Sequence, residues 1–89
     1  MPIKEKMARE IASEWHSGQW SGLYSIASCQ DYKNVPPTTW HDAYWEARRN
    51  AQEASGAGGK KDAQRLTKLA DWIEYTARHY GVHVKGSLV

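Results

Sequence analysis

Phenylalanine is absent from this chain of 89 residues, and leucine, isoleucine and valine together number only 12. Such aliphatic poverty marks a disordered segment when a high net charge accompanies it. Here the formal net charge is only +2, so that companion is missing. Cys29 is the only cysteine, which excludes an internal disulfide and any zinc module built on cysteines. A lone thiol fits a reducing cytoplasm. The first six residues carry no apolar run of the secretory kind, and no window approaches the roughly 18 to 20 consecutive apolar residues of a membrane span. The length predicts one domain over 1–89, cytoplasmic, with a small core.

Five tryptophans and five tyrosines supply the apolar area that leucine and phenylalanine normally provide, and each brings a polar handle. Two breaks divide the chain. Asp31 to Pro37 holds turn formers ending in a proline pair, and Ser55 to Gly59 is glycine-rich and short enough to join two antiparallel helices. Between the breaks the apolar period is helical. Pro2 suits a first helical position, with Ile3, Met7, Ala8, Ile11, Ala12 and Trp15 inward and a stop at Gly18. A shorter second helix places Trp20, Leu23, Tyr24 and Ala27 on one side. Thr38 or Thr39 is placed to cap a third, whose inner face is Trp40, Ala43, Tyr44, Ala47, Ala51 and Ala54. The fourth spans about Lys60 to Tyr80 and stops at Gly81, with Ala63, Leu66, Leu69, Ala70, Ile73, Ala77 and Tyr80 inward. Val82-His83-Val84 alternates like a strand but has nothing to pair with. The expected fold is all-α: a compact bundle of about four helices, the third and fourth forming a hairpin, with a short extended C-terminal tail.

Two faces do not belong to that core. On the fourth helix Lys61, Arg65, Lys68, Trp72, Tyr75 and His79 share an arc of about 80°. On the third, Trp45 lies opposite the apolar face, flanked by His41, Arg48, Arg49 and Gln52. Aromatic rings beside cations are the residue mix of protein-binding surfaces. Two alternatives stand: Trp72 and Tyr75 complete a broad core, or Trp45 packs on the Pro36-Pro37 loop or the tail. One of the two arginines is also within reach of stacking on the Trp45 indole. The charge excess is local: residues 60–89 carry six basic and three acidic side chains, whereas the rest of the chain is near balance.

No motif names a reaction. His79 and His83 have zinc-like spacing, but Gly81 separates them and no cysteine or third histidine lies near. Cys29 reads as a small buried hydrophobe before it reads as a nucleophile. Residues 56–59 lack the strand and lysine framework of a phosphate loop. Ala8 to Trp20 runs as helix, glycine turn and helix start, yet its would-be reading helix offers no arginine or lysine for phosphates. The expectation is a non-catalytic protein that needs no metal and no cofactor.

Glu10 to Ser28, through Trp15-His16, Gly18-Gln19, Ser21 and Leu23-Tyr24, resembles the opening of small proteins carried by phages and plasmids. As a single short Trp/Tyr-rich domain, the chain is also similar in character to anti-CRISPR proteins. That resemblance implies direct binding to a Cas effector subunit, blocking its DNA-binding or nuclease-recruiting surface, and carries over no catalytic residue. Many such inhibitors are acidic DNA mimics. This chain is mildly basic, so a protein partner with an acidic surface is the better match. The expected function is therefore stoichiometric protein binding through Lys61, Arg65, Lys68, Trp72, Tyr75 and His79, or through Trp45, Arg48 and Arg49. Nucleic-acid binding by the same residues is the alternative, and an Ala-rich third helix leaves a homodimer open.

Overall fold

The computed structural model describes residues 2–84. Four helices follow one another: α1 (Glu5–Trp15), α2 (Gly22–Ser28), α3 (Pro37–Gly56) and α4 (Lys60–His79), with one 3-10 turn at Tyr32–Asn34. No strand occurs among the described residues. The bundle is all-α, and α3 and α4 form its central hairpin, with α2 against α3 and α1 bridging α2 and α4.

Each helix end has a local cause. Pro36 occupies the N-cap of α3 and Pro37 its first turn, where a fixed φ and a missing N–H cost nothing. Thr38 and Thr39 therefore lie inside the helix rather than capping it. Both hairpin helices end in the same six-residue closure. Gly59 N–H donates to Ala54 at 2.8 Å and Gly58 N–H to Ser55 at 3.1 Å; Val82 N–H donates to Ala77 at 2.9 Å and Gly81 N–H to Arg78 at 3.0 Å. Gly58 and Gly81 take φ of 86° and 78°, the left-handed conformation that this closure needs. The α3–α4 connector is thus three residues, since Ser55 and Gly56 belong to α3. Asp62 in the first turn of α4, and Arg78 and His79 in its last, complement the helix dipole.

The core is one cluster. Ala8, Ile11 and Ala12 of α1, Leu23 and Ile26 of α2, Trp40, Ala43, Tyr44 and Ala47 of α3, and Leu66, Leu69, Ala70, Ile73 and Ala77 of α4 are all buried. Two aromatic groups set its character. Tyr32 is wedged against Trp40 and Trp72, with ring centroids 5.8 Å away in each case, and Tyr80 stacks on Trp40 at 6.4 Å and 13°. The Tyr32 hydroxyl and the Trp40 indole nitrogen are buried with no well-formed hydrogen bond among the described residues. Burial, with the nearby Glu5 charge second, pushes the Tyr32 phenol up to about 12.

Several expected positions shift. α1 begins at Glu5, so Pro2 precedes the helix, and Met7 is 48 % exposed because the apolar stripe has narrowed to Ala8, Ile11 and Ala12. Tyr80 keeps its ring on Trp40 yet is 43 % exposed, being past the last helical turn. Val82-His83-Val84 forms no strand: Val84 is fully buried in the core and Val82 packs beside it. Beyond that point the expected tail, residues 85–89, lies outside the described residues.

The backbones of α2 and α3 approach closely at Gly22. A Cβ on Gly22 would overlap the Ala43 backbone, standing 2.7 Å from its Cα. Only glycine lets these two backbones touch.

Candidate functional site

A buried carboxylate organises the junction of three helices. Glu46 of α3 is 6 % exposed and has no cationic partner among the described residues. One carboxylate oxygen accepts from the Ser17 N–H at 3.0 Å and from the Ser17 hydroxyl at 2.7 Å. The other accepts from the Leu23 N–H, in the first turn of α2, at 3.1 Å. One helical turn further on, the Asn50 side chain donates to the Trp15 carbonyl at 3.0 Å, at the end of α1. Hydrogen bonds satisfy a buried polar group that would otherwise be costly, and a carboxylate also suits a helix N-terminus. Thus an acceptor and a donor on α3, at i and i+4, hold the start of one helix and the end of another. The sequence signal was faint: an acid and an amide one turn apart, on the border of an apolar arc.

This junction fixes the α1–α2 connection that carries Trp20. Gly18, at φ 130°, turns the chain; its N–H donates to the His16 imidazole at 3.1 Å, and the His16 ring meets Tyr24 edge-on at 5.0 Å. Ser21 caps α2 by accepting from the Tyr24 N–H at 3.1 Å. Because α2 starts only at Gly22, Trp20 lies outside the helix. It does not face the core as its spacing suggested. It is 93 % exposed.

Trp20 instead joins the outer face of α3. A hollow of about 280 Å³ is lined by Ser17, Trp20, Ser21, Gly22, Asp42, Trp45, Glu46 and Arg49. Across the Trp45 ring lies a second hollow of about 480 Å³, between Trp45, Arg48, Arg49, Ala51 and Gln52 of α3 and Thr67 of α4. Trp45 and Arg49 line both. Trp45 is 42 % exposed, its ring edge-on to Tyr44 at 5.0 Å. Neither Arg48 nor Arg49 forms an ion pair or lies over a ring among the described residues. The ring that carries a guanidinium is Tyr32, beneath Arg9 at 6.0 Å.

The α4 stripe does not survive as one surface. Trp72 is corrected to a core residue: at 5 % exposure its ring lies against Tyr32 and offers nothing to a partner. Arg65 is held by Glu14 of α1 at 3.1 Å. Tyr75 is 49 % exposed, edge-on to His79 at 4.7 Å. It lines a different hollow, with Pro2, Asp71, Glu74 and Arg78. Lys61 and Lys68 are exposed but line neither hollow beside Trp45. The stripe assumed that the whole arc faced water, whereas α1 and the 3-10 turn cover its middle.

Cys29 is half-buried, its thiol 3.5 Å from the Ile26 carbonyl. Burial is the main cause that raises its pKa, opposed by Arg9, so the thiolate needed for nucleophilic chemistry is disfavoured. No group of three or more His, Cys, Asp or Glu side chains among the described residues is placed to hold a metal ion. No helix is long and apolar enough to cross a membrane among these residues. No protein-family model, curated protein or solved structure matches the chain.

Proposed function

We propose that this protein is a stoichiometric protein-binding module whose contact surface is Trp20, Trp45, Arg48 and Arg49. One observation carries the reading: two exposed tryptophans from different elements line a single hollow with Arg49, next to Arg48, and neither arginine has an ion pair among the described residues. Rigid amphipathic rings with adjacent charge supply contact area at low entropic cost and tend to dominate binding energy. A nucleic acid fits less well, because a phosphate chain is charged at every step and would meet Asp42 at this hollow, whereas a protein can set an acidic side chain beside the arginines and an apolar one beside Trp20. In this reading the protein works in the cytoplasm without catalysis. Its partner is a protein with an acidic surface, and the anti-CRISPR resemblance makes a Cas effector subunit one such partner.

The test is capture from a host lysate by wild type, Trp20→Ala and Trp45→Ala, followed by identification and salt titration of what is retained. The reading expects a protein that both variants lose while their helical content is unchanged. Retention of nucleic acid with a steep salt dependence, or equal capture by all three, overturns it.

A further inference from the structure

We propose that the hollow between α3 and α4 is a carboxylate subsite, holding an acidic side chain of a short partner peptide between the guanidiniums of Arg48 and Arg49 and the Trp45 ring. It rests on the protein-binding reading above and adds the chemistry of what is bound. Three of the arginines already face a carboxylate: Arg9 lies 4.0 Å from Glu5, Arg65 3.1 Å from Glu14 and Arg78 3.7 Å from Glu74. The two that remain, Arg48 and Arg49, line the same hollow of about 480 Å³. No carboxylate among the described residues lines it. By contrast the hollow beside Cys29 contains Asp31, that beside Met7 contains Glu10, and that beside Tyr75 contains Asp71 and Glu74. The positive charge of this hollow therefore has no counter-charge in its lining among the described residues.

Its lining defines the ligand. Trp45, Arg48, Arg49 and Gln52 recur at helical spacing on one face of α3, a stretch of about 10 Å, which matches three extended peptide residues. The Thr67 hydroxyl already donates to the Ala63 carbonyl at 2.8 Å, leaving the guanidiniums and the Gln52 amide as donors. Guanidinium groups bind carboxylate through paired hydrogen bonds. The adjoining hollow shares Trp45 and Arg49 but brings in Asp42, Glu46 and the Trp20 ring. A phosphodiester chain, charged at every nucleotide, would meet those carboxylates as it continued. A peptide with an acidic residue next to a large apolar one meets arginines in one hollow and an indole in the other.

The experiment titrates isotope-labelled protein with three probes: a synthetic peptide bearing paired glutamates beside a leucine, the same peptide with lysines for the glutamates, and an oligothymidylate. The signals read are the arginine side-chain N–H groups and the tryptophan indoles. The acidic peptide is expected to shift Arg48, Arg49 and Trp45 saturably. The double variant Arg48→Glu, Arg49→Glu is expected to weaken it at least tenfold, and Arg65→Glu, on the α1 side of α4, less than twofold. Both positions of the double variant are exposed, and circular dichroism verifies that its helices persist. The proposal is overturned by an acidic peptide that leaves these signals unmoved, by a double variant that binds as wild type, or by oligothymidylate shifting the same signals at lower concentration. Were lysate capture still to depend on Trp20 and Trp45 while the acidic peptide moved nothing, the subsite would fall and the binding surface would stand. A shift by the acidic peptide without any captured protein separates the two in the opposite sense.

Discussion

On α3, Trp45 stands at the surface beside two arginines that have no ion pair among the described residues; on α4, Trp72 stands between Arg65 and Tyr75 in sequence, yet its ring is shut beneath Tyr32. Both helices are 20 residues long and both carry a tryptophan off the main apolar stripe. The difference comes from their neighbours. Tyr32 covers Trp72 and Glu14 of α1 takes Arg65, whereas no helix among the described residues covers Trp45 in the same way. A cationic and aromatic helix face is a binding surface only where no other element reaches it first.

The sharpest way to break this contrast is to truncate each ring. Trp72→Ala should lower unfolding free energy by about 3 to 5 kcal/mol, as large buried rings do, much of the stability available to a domain of this size. Trp20→Ala should change stability by no more than about 0.5 kcal/mol while weakening partner binding by about 2 kcal/mol or more, as a central contact residue does. Chemical denaturation and affinity measurements on both variants check the pair. A stable Trp72→Ala, or a Trp20→Ala that unfolds easily, reverses the assignment of the two faces.

Glu46→Ala sharpens the comparison from beneath, because it leaves the buried Leu23 N–H and the part-buried Ser17 N–H without their acceptor. The expected loss is about 1 to 3 kcal/mol, with faster amide exchange at those two residues and a changed Trp20 indole signal. Exchange rates equal to wild type would show that the connection holds itself. A smaller effect belongs to Arg65→Glu, which breaks a half-exposed pair with Glu14. It should cost at most about 1 kcal/mol and leave binding unchanged; a large binding loss would restore the α4 stripe as an interface.

The last prediction concerns the hydroxyl beneath that stripe. An unfolded tyrosine titrates near about 10, but Tyr32 in the fold is pushed up to about 12. The native state favours the protonated phenol, so this contribution is complete below the unfolded value and is lost as pH rises through the folded one. Tyr32→Phe should remove that alkaline component. Near neutral pH its effect should be small, because burial rather than the contact with Arg9 dominates at this hydroxyl. Denaturation curves of the two proteins between neutral and strongly alkaline pH check both statements.

Much of the fold was legible because helical periodicity survives any choice of neighbour. The inner residues of α3, from Trp40 to Ala54, and those of α4, from Leu66 to Ala77, are buried where their spacing puts them. Gly81 and the glycines before Lys60 end or begin helices for reasons that are local to the chain. Trp20 was misplaced because its orientation depends on where α2 begins. That point is set by Gly22 approaching the Ala43 backbone, a contact between residues distant in sequence. Glu46 stayed hidden for a related reason: a glutamate at the edge of an apolar arc looks like a solvated one until the N–H groups that bind it arrive from another helix.

By itself, then, the sequence determined the helices, the glycine closures after α3 and α4 and the composition of two aromatic, basic faces, since all of these follow from short-range geometry and residue chemistry. Which face stays open was decided only by tertiary structure. Burial and ion pairing belong to pairs of residues brought together across the fold, and here α1 and Tyr32 close over α4 while the Glu46 junction delivers Trp20 to the side of Trp45.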